Sequence, residues 1–300
     1  SFEFTVKPPF WQTAWFKILA AIAVICIFIL IMQLRQRSLV KAKKILEEKV
    51  RQRTKEIERQ KNEIAEQKQE ITDSIHYARQ IQRAVLPAEN IPIKNISGHF
   101  ILFLPRDIVS GDFYWHRTFK NKTVIVAADC TGHGVPGAFM SMLGVSLLNE
   151  IVPESGLDNA AAILNSLRDH VNDTLSLSGG QEHARDGMDI TLCIIDGKNG
   201  TLDFAGANNP LYILKNNELT EIKGDKMPVG HYEKKDPFTN HRINIKPGEV
   251  FYIFSDGFVD QFGGPDGKKY LSRNFRKFIL DHHSRTMQEQ KHLLLEEYQR

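Results

Sequence analysis

Asp129-Cys-Thr-Gly-His-Gly-Val-Pro-Gly-Ala-Phe-Met140 decides how this chain folds. It continues the β-prone run Val124-Ile-Val-Ala-Ala128, so an acid closes a strand that reads as buried. Gly132 and Gly134 permit a tight backbone turn, Pro136 suits the start of a helix, and Gly137 and Ala138 let that helix lie close to the sheet. A helix mouth of this kind offers unpaired N–H groups beside a carboxylate, a setting that holds a phosphate or a hydrated metal ion.

Two further β-prone runs end the same way, Val109-Ser-Gly-Asp112 and Phe251-Tyr-Ile-Phe-Ser-Asp256-Gly257. A single aspartate after a strand is ordinary turn chemistry. Three that converge suggest a hard-metal site, because Mg²⁺ and Mn²⁺ take oxygen ligands and keep several waters. Around them, strands are expected at 100–104, 122–128, 188–195, 201–205, 211–214, 241–245 and 250–254, and helices at 136–151, 157–177 and 272–298. Runs of strands with long intervening helices, without regular alternation, indicate an α+β sandwich.

The part before residue 87 has a different character. Trp15-Phe16-Lys17 leads into an unbroken apolar run from Ile18 to Met32, close to the length that crosses a bilayer as a helix. Trp11, Trp15 and Phe16 suit an aromatic belt on one side, and Arg35, Arg37, Lys41, Lys43 and Lys44 crowd the other. The positive-inside rule then predicts a single-pass membrane protein, N-terminus outside and everything after Leu34 in the cytoplasm. Residues 1–13 alternate like a strand and stop at Pro8-Pro9, and are read as the end of an extracytoplasmic domain, its wording resembling the close of a triple-tyrosine sensor domain. Residues 14–34 are the expected membrane helix, 35–86 a signalling helix and 87–300 the catalytic domain.

The signalling segment is nearly free of glycine and proline, and Val50, Ile57, Ile64, Ile71, Ala78 and Val85 recur every seven positions. This heptad predicts a parallel coiled coil, hence a homodimer, with a seam weakened by Arg53, Gln60, Gln67 and Ser74. His76 on the same helix reads as a surface histidine, since no acid stands beside it. A formal charge of +3 over 300 residues leaves no nucleic-acid footprint beyond the juxtamembrane cluster. Cys26, Cys130 and Cys193 are widely spaced, which argues against zinc and against a disulfide framework.

Taken in order, Val109-Ser-Gly-Asp-Phe-Tyr-Trp115, Asp129 to Met140, Met227-Pro-Val-Gly230 and Ser255-Asp-Gly257 resemble the stage II sporulation protein E branch of the protein phosphatase 2C family. The helix Ser74-Ile-His-Tyr-Ala-Arg-Gln-Ile-Gln-Arg-Ala-Val-Leu-Pro87 is a lead-in of the kind these enzymes carry. The resemblance implies an α-β-β-α sandwich and a serine/threonine phosphatase using two Mn²⁺ or Mg²⁺ ions. It implies that Asp129 bridges the ions, that the carbonyl of Cys130 reaches one, that Asp256 ligates one and that Asp112 serves the second. It makes His133 the proton donor to the leaving oxygen, against the alternative of a histidine hydrogen-bonded inside the glycine loop. Arg106 is the candidate clamp for substrate phosphate, against the alternative of a surface ion pair with a neighbouring acid.

Asp189 is expected to be structural and Asn208-Asn209-Pro210 to form a hairpin turn. The partner that the resemblance suggests is a phosphorylated regulatory protein, such as an anti-sigma-factor antagonist. Relatives finish with a strand carrying an Asp-Asp pair, whereas this sequence stops at Arg300. A truncated sequence or a site one aspartate short is expected from that, the latter being a non-catalytic signalling scaffold.

Overall fold

The computed structural model describes residues 9–89, 91–154, 157, 159–176, 186–233, 236–264 and 267–299. The strand expected within residues 1–8 lies outside them. The chain divides into two compact units, the first ending at Ile71 and the second beginning at Thr72.

A 3-10 turn, Phe10–Gln12, precedes α1 (Ala14–Val85), which begins in the first unit and ends in the second. With no glycine or proline across its 72 residues, nothing interrupts the backbone ladder. Phe10, Trp11, Trp15 and Phe16 stack edge to face where the helix begins. Two helices among the described residues are long and apolar enough to cross a membrane, and the one in α1 has none of its apolar window buried. Val50, Ile57, Ile64 and Ile71 are 56–64% exposed, so these four heptad positions stand uncovered among the described residues.

The second unit begins its sheet with the hairpin β1 (Phe113–Phe119) and β2 (Lys122–Cys130). Helices α2 (Gly134–Glu154) and α3 (Ala160–Ser176) follow, then β3 (Gly187–Asp196), β4 (Thr201–Ala207), β5 (Leu211–Lys215) and β6 (Glu218–Ile222). After β7 (Val229–Gly230), β8 (His241–Asn244) and β9 (Val250–Ile253) come the short α4 (Gly257–Asp260) and the pair β10 (Phe262–Gly263) and β11 (Lys268–Lys269). The described chain closes with α5 (Leu271–His282) and α6 (Met287–Tyr298). One antiparallel sheet runs β1-β2-β3-β4-β8, with β7 also on β3, and a second runs β6-β5-β9.

The period of two along the strands sorts the side chains into layers. Val124, Val126 and Ala128 of β2, with Ile190, Leu192 and Ile194 of β3, pack against Leu148, Val152, Leu164 and Leu167 of α2 and α3. Cys193, Ile195, Leu202 and Phe204 turn the other way and meet Leu211 and Ile213 of the second sheet. The far face of that sheet, Tyr212, Leu214 and Tyr252, packs on Phe275, Phe278 and Ile279 of α5 and Leu294 of α6. The order helix, sheet, sheet, helix is the expected α-β-β-α sandwich, and α2, the other long apolar helix, is largely covered by it.

Four local expectations are corrected. Residues 100–104 form no strand: Phe100 and Leu102 bury against the second sheet's cluster without a ladder of their own. The helix expected over 272–298 is two, broken where Thr286 caps α6 in a capping box with Glu289. Asp112 does not end a strand but stands immediately before β1. Asn208 to Pro210 is no hairpin, since β4 and β5 belong to different sheets and the turn carries the chain from one to the other. Strands β1 and β6 and the two-residue β7, β10 and β11 have no counterpart among the expected strands. The two-residue loop Asn216-Asn217, both at positive φ, is the hairpin signal that marks β6.

Candidate functional site

Odd-numbered residues of β2 share the face of Ile125, which packs into the layer between the sheets, so Asp129 points there too. It sits one residue before β2 ends and is half-buried. Asp256 follows β9 from the second sheet and stands at the head of α4. Asp112 precedes β1, whose first residue Phe113 pairs with Ala128. Three distant parts of the sequence are thereby drawn to one end of the sandwich.

The carboxylates feel one another. Burial, then the neighbouring Asp112 and Asp256 carboxylates, push Asp129 up to about 8. Burial, followed by the neighbouring Asp260, also raises Asp256. Lys269 is drawn off by a 2.8 Å ion pair with Asp260 and relieves Asp256 only weakly. Asp112 accepts a hydrogen bond of 2.9 Å from the Ser255 hydroxyl, which ties the start of β1 to the residue before Asp256.

The backbone beside them is close-packed. A Cβ on Gly111 would stand 2.9 Å from the Gly132 carbonyl oxygen and 3.2 Å from that of Cys130. One on Gly137 would stand 2.5 Å from the same Gly132 oxygen. Only glycine lets the segment before Asp112 lie on the loop after Asp129. Thr131 anchors that loop, its N–H and hydroxyl meeting the Gly187 carbonyl at 2.9 and 3.0 Å. The Cys130 side chain turns to the helix layer, where burial, then Asp129, holds its thiol well above the usual range. The neutral thiol faces away from the aspartates, while the Cys130 carbonyl lies against Gly111.

His133 and Arg106 lie at the rim. His133 is exposed, and its Nδ1 is 3.2 Å from Asp107 Oδ2, so its partner is not a group of its own loop. Arg106 is exposed and, among the described residues, has no hydrogen bond or ion pair; the neighbouring acid is engaged with His133. Asp189, set aside as structural, pairs with Asp129 in the ladder and shares its face. Burial raises it, with Asp256 adding to the effect, while Asn208 donates to it at 2.7 Å. Strand register brings Asp189 here, and no motif around it announces that. His76 is exposed on α1.

The donor set is oxygen throughout, with three mutually repelling carboxylates and a backbone carbonyl, and a divalent hard cation fits it. Among the described residues no three His, Cys, Asp or Glu side chains are grouped at ion-holding distances.

Residues 120–300 match the family described as Stage II sporulation protein E (SpoIIE). The chain is similar to the SiaA-PP2C domain of Pseudomonas aeruginosa, with 34% identity and a TM-score of 0.67 over 77% of this chain and 90% of that one. It shares the fold of the PP2C phosphatase domain with a regulatory fragment of SpoIIE from Bacillus subtilis, at 23% identity and a TM-score of 0.50, over 63% of this chain and 53% of that one. No curated protein matches the chain in sequence.

Proposed function

From the premise that this chain belongs to the stage II sporulation protein E family, we propose that it is a membrane-anchored, metal-dependent serine/threonine protein phosphatase. Its substrate in this reading is a phosphorylated regulatory protein, of which an anti-sigma-factor antagonist is one example. The observation that carries the reading is the gathering of Asp112, Asp129 and Asp256 at one end of the sandwich with little positive charge to balance them.

Asp129 would serve both of two Mn²⁺ or Mg²⁺ ions, with the Cys130 carbonyl, Asp256 and Asp112 completing the protein's share. The ions, when bound, supply an activated water for in-line attack on phosphorus and neutralise the charge that develops there. His133, with Nδ1 toward Asp107, presents Nε2 to solvent and gives a proton to the departing serine or threonine oxygen. Arg106 offers its unengaged fork to the phosphate oxygens. Residues 14–34 anchor the chain in the bacterial cytoplasmic membrane with residues 87–300 in the cytoplasm, and the heptad of 35–86 pairs with a second copy to regulate the domain.

The test is phosphate release by the full chain in lipid nanodiscs, from a phosphoserine protein and from p-nitrophenyl phosphate. Release should require Mn²⁺ or Mg²⁺ and vanish with Asp129→Asn. Release that survives EDTA, or that Asp129→Asn leaves intact, contradicts the proposal. A non-catalytic scaffold is the second reading, favoured by there being, among the described residues, no three His, Cys, Asp or Glu side chains grouped at ion-holding distances. A chain that takes up no Mn²⁺ in calorimetry would select it.

A further inference from the structure

Thr131 is the first residue after β2 and follows Cys130, whose partner Met188 makes the last pair of the β2–β3 ladder. It prolongs that ladder by one step in an unusual way. Its N–H donates to the Gly187 carbonyl at 2.9 Å, as a paired strand residue would. Its hydroxyl accepts the Gly187 N–H at 3.1 Å, taking the place of the backbone carbonyl that would accept there in a continued strand. The same hydroxyl donates to the Gly187 carbonyl at 3.0 Å, so both backbone groups of Gly187 meet Thr131. The chain is thereby free to leave the sheet at Gly132, where φ is +91°.

Gly187 is a fixed point on which to bond. It is buried, it pairs with Gly230 of β7, and a Cβ on it would stand 2.9 Å from the Val229 carbonyl oxygen. The peptide that joins Cys130 to Thr131 is planar and trans, so its N–H and its C=O point in opposite directions. With the N–H committed to Gly187, the Cys130 carbonyl is turned away from β3 and toward Gly111, the residue before Asp112. We infer that Thr131 is a positioning residue of the proposed metal centre: its hydroxyl locks this peptide onto Gly187, so that the Cys130 carbonyl is held on the side of Asp112 for a divalent cation. Groups behind a metal site that orient its ligands set affinity in this way. The inference rests on the metal-centre reading given above.

The test is calorimetric titration of Mn²⁺ into the metal-free full chain in nanodiscs, at a temperature where circular dichroism shows each variant folded. Thr131→Val keeps the shape and the backbone N–H but removes the hydroxyl, and should weaken Mn²⁺ binding about tenfold. Thr131→Ser restores the hydroxyl and should bind Mn²⁺ as the wild type does. A lower melting temperature in Thr131→Val with unchanged Mn²⁺ affinity would give the hydroxyl a merely structural part and overturn the inference. Equal weakening in the valine and serine variants would overturn it too, since the hydroxyl would then not be the cause. Thr131 is exposed, so its truncation opens no cavity; should Thr131→Val not fold, Thr131→Ala takes its place in the titration with the same expectation. A wild-type chain that binds no Mn²⁺ defeats the metal-centre reading and this inference together, whereas equal binding by wild type and Thr131→Val defeats only this one.

Discussion

Val50, Ile57, Ile64 and Ile71 stand exposed along α1 at even spacing, whereas Asp112, Asp129 and Asp256 are crowded together at the end of the sandwich. Each region is short of something of a different kind. The helix presents apolar surface with nothing apolar against it, and bringing that surface together with a like surface, or with lipid, removes it from water. The site gathers negative charge with little to balance it, and a cation relieves that. The two should therefore answer to different perturbations, and the sharpest predictions separate them.

The largest effect belongs to the charge side. Asp129→Asn should cost phosphate release on the order of a thousandfold, since the residue proposed to serve both ions is lost. The same change should raise the melting temperature of the metal-free chain, because a repelling carboxylate goes. Neither change should alter the oligomeric state.

Next comes the rim. His133→Gln should lower turnover of a phosphoserine protein about a hundredfold but that of p-nitrophenyl phosphate far less, because the nitrophenolate leaves without a proton. Equal losses on both substrates would assign His133 to structure instead. On the apolar side, Ile57→Asp combined with Ile64→Asp puts charge into the seam and should convert a dimer to a monomer in analytical ultracentrifugation, with Mn²⁺ binding per chain retained. A dimer that persists would mean that the heptad does not hold the copies together.

The smallest effect is a slope with pH. Asp129 is raised from 3.8 to about 8 in the folded chain, so the folded state holds a proton that the unfolded state releases. Below about pH 4 the group is protonated in both states and costs nothing; as pH rises through about 8 the metal-free protein should lose stability. Saturating Mn²⁺ should flatten that slope, and Asp129→Asn should reduce it to the part that Asp256 and Asp189, also raised by burial, contribute. Melting temperatures in EDTA across this range provide the check.

The same contrast explains what the sequence made legible. Periodic features are local, so the unbroken helix and the heptad could be read from spacing alone, and the strand and helix on either side of Asp129 from their composition. The α+β class followed from runs of strands with long intervening helices, and the α-β-β-α layering from the family resemblance. Position in space was harder to see. That Asp189 stands across from Asp129 depends on the register of β2 and β3, and that Asp107 meets His133 depends on how two loops fold together. Gln82 was invisible among the many glutamines of a polar helix, because its burial comes from the Ser110 peptide and the Ser141 hydroxyl to which its amide bonds. The break before α6 was readable, since Thr286-Met-Gln-Glu289 has the form of a capping box, but helix propensity on both sides masked it.

The central claim is that the gathered aspartates form a two-ion centre, and counting bound manganese tests it most directly. Metal-free full chain equilibrated with Mn²⁺ and desalted should retain two ions per chain by elemental analysis, and Asp129→Asn should retain neither firmly. No retained manganese in the wild type, or a count that Asp129→Asn leaves unchanged, would contradict it.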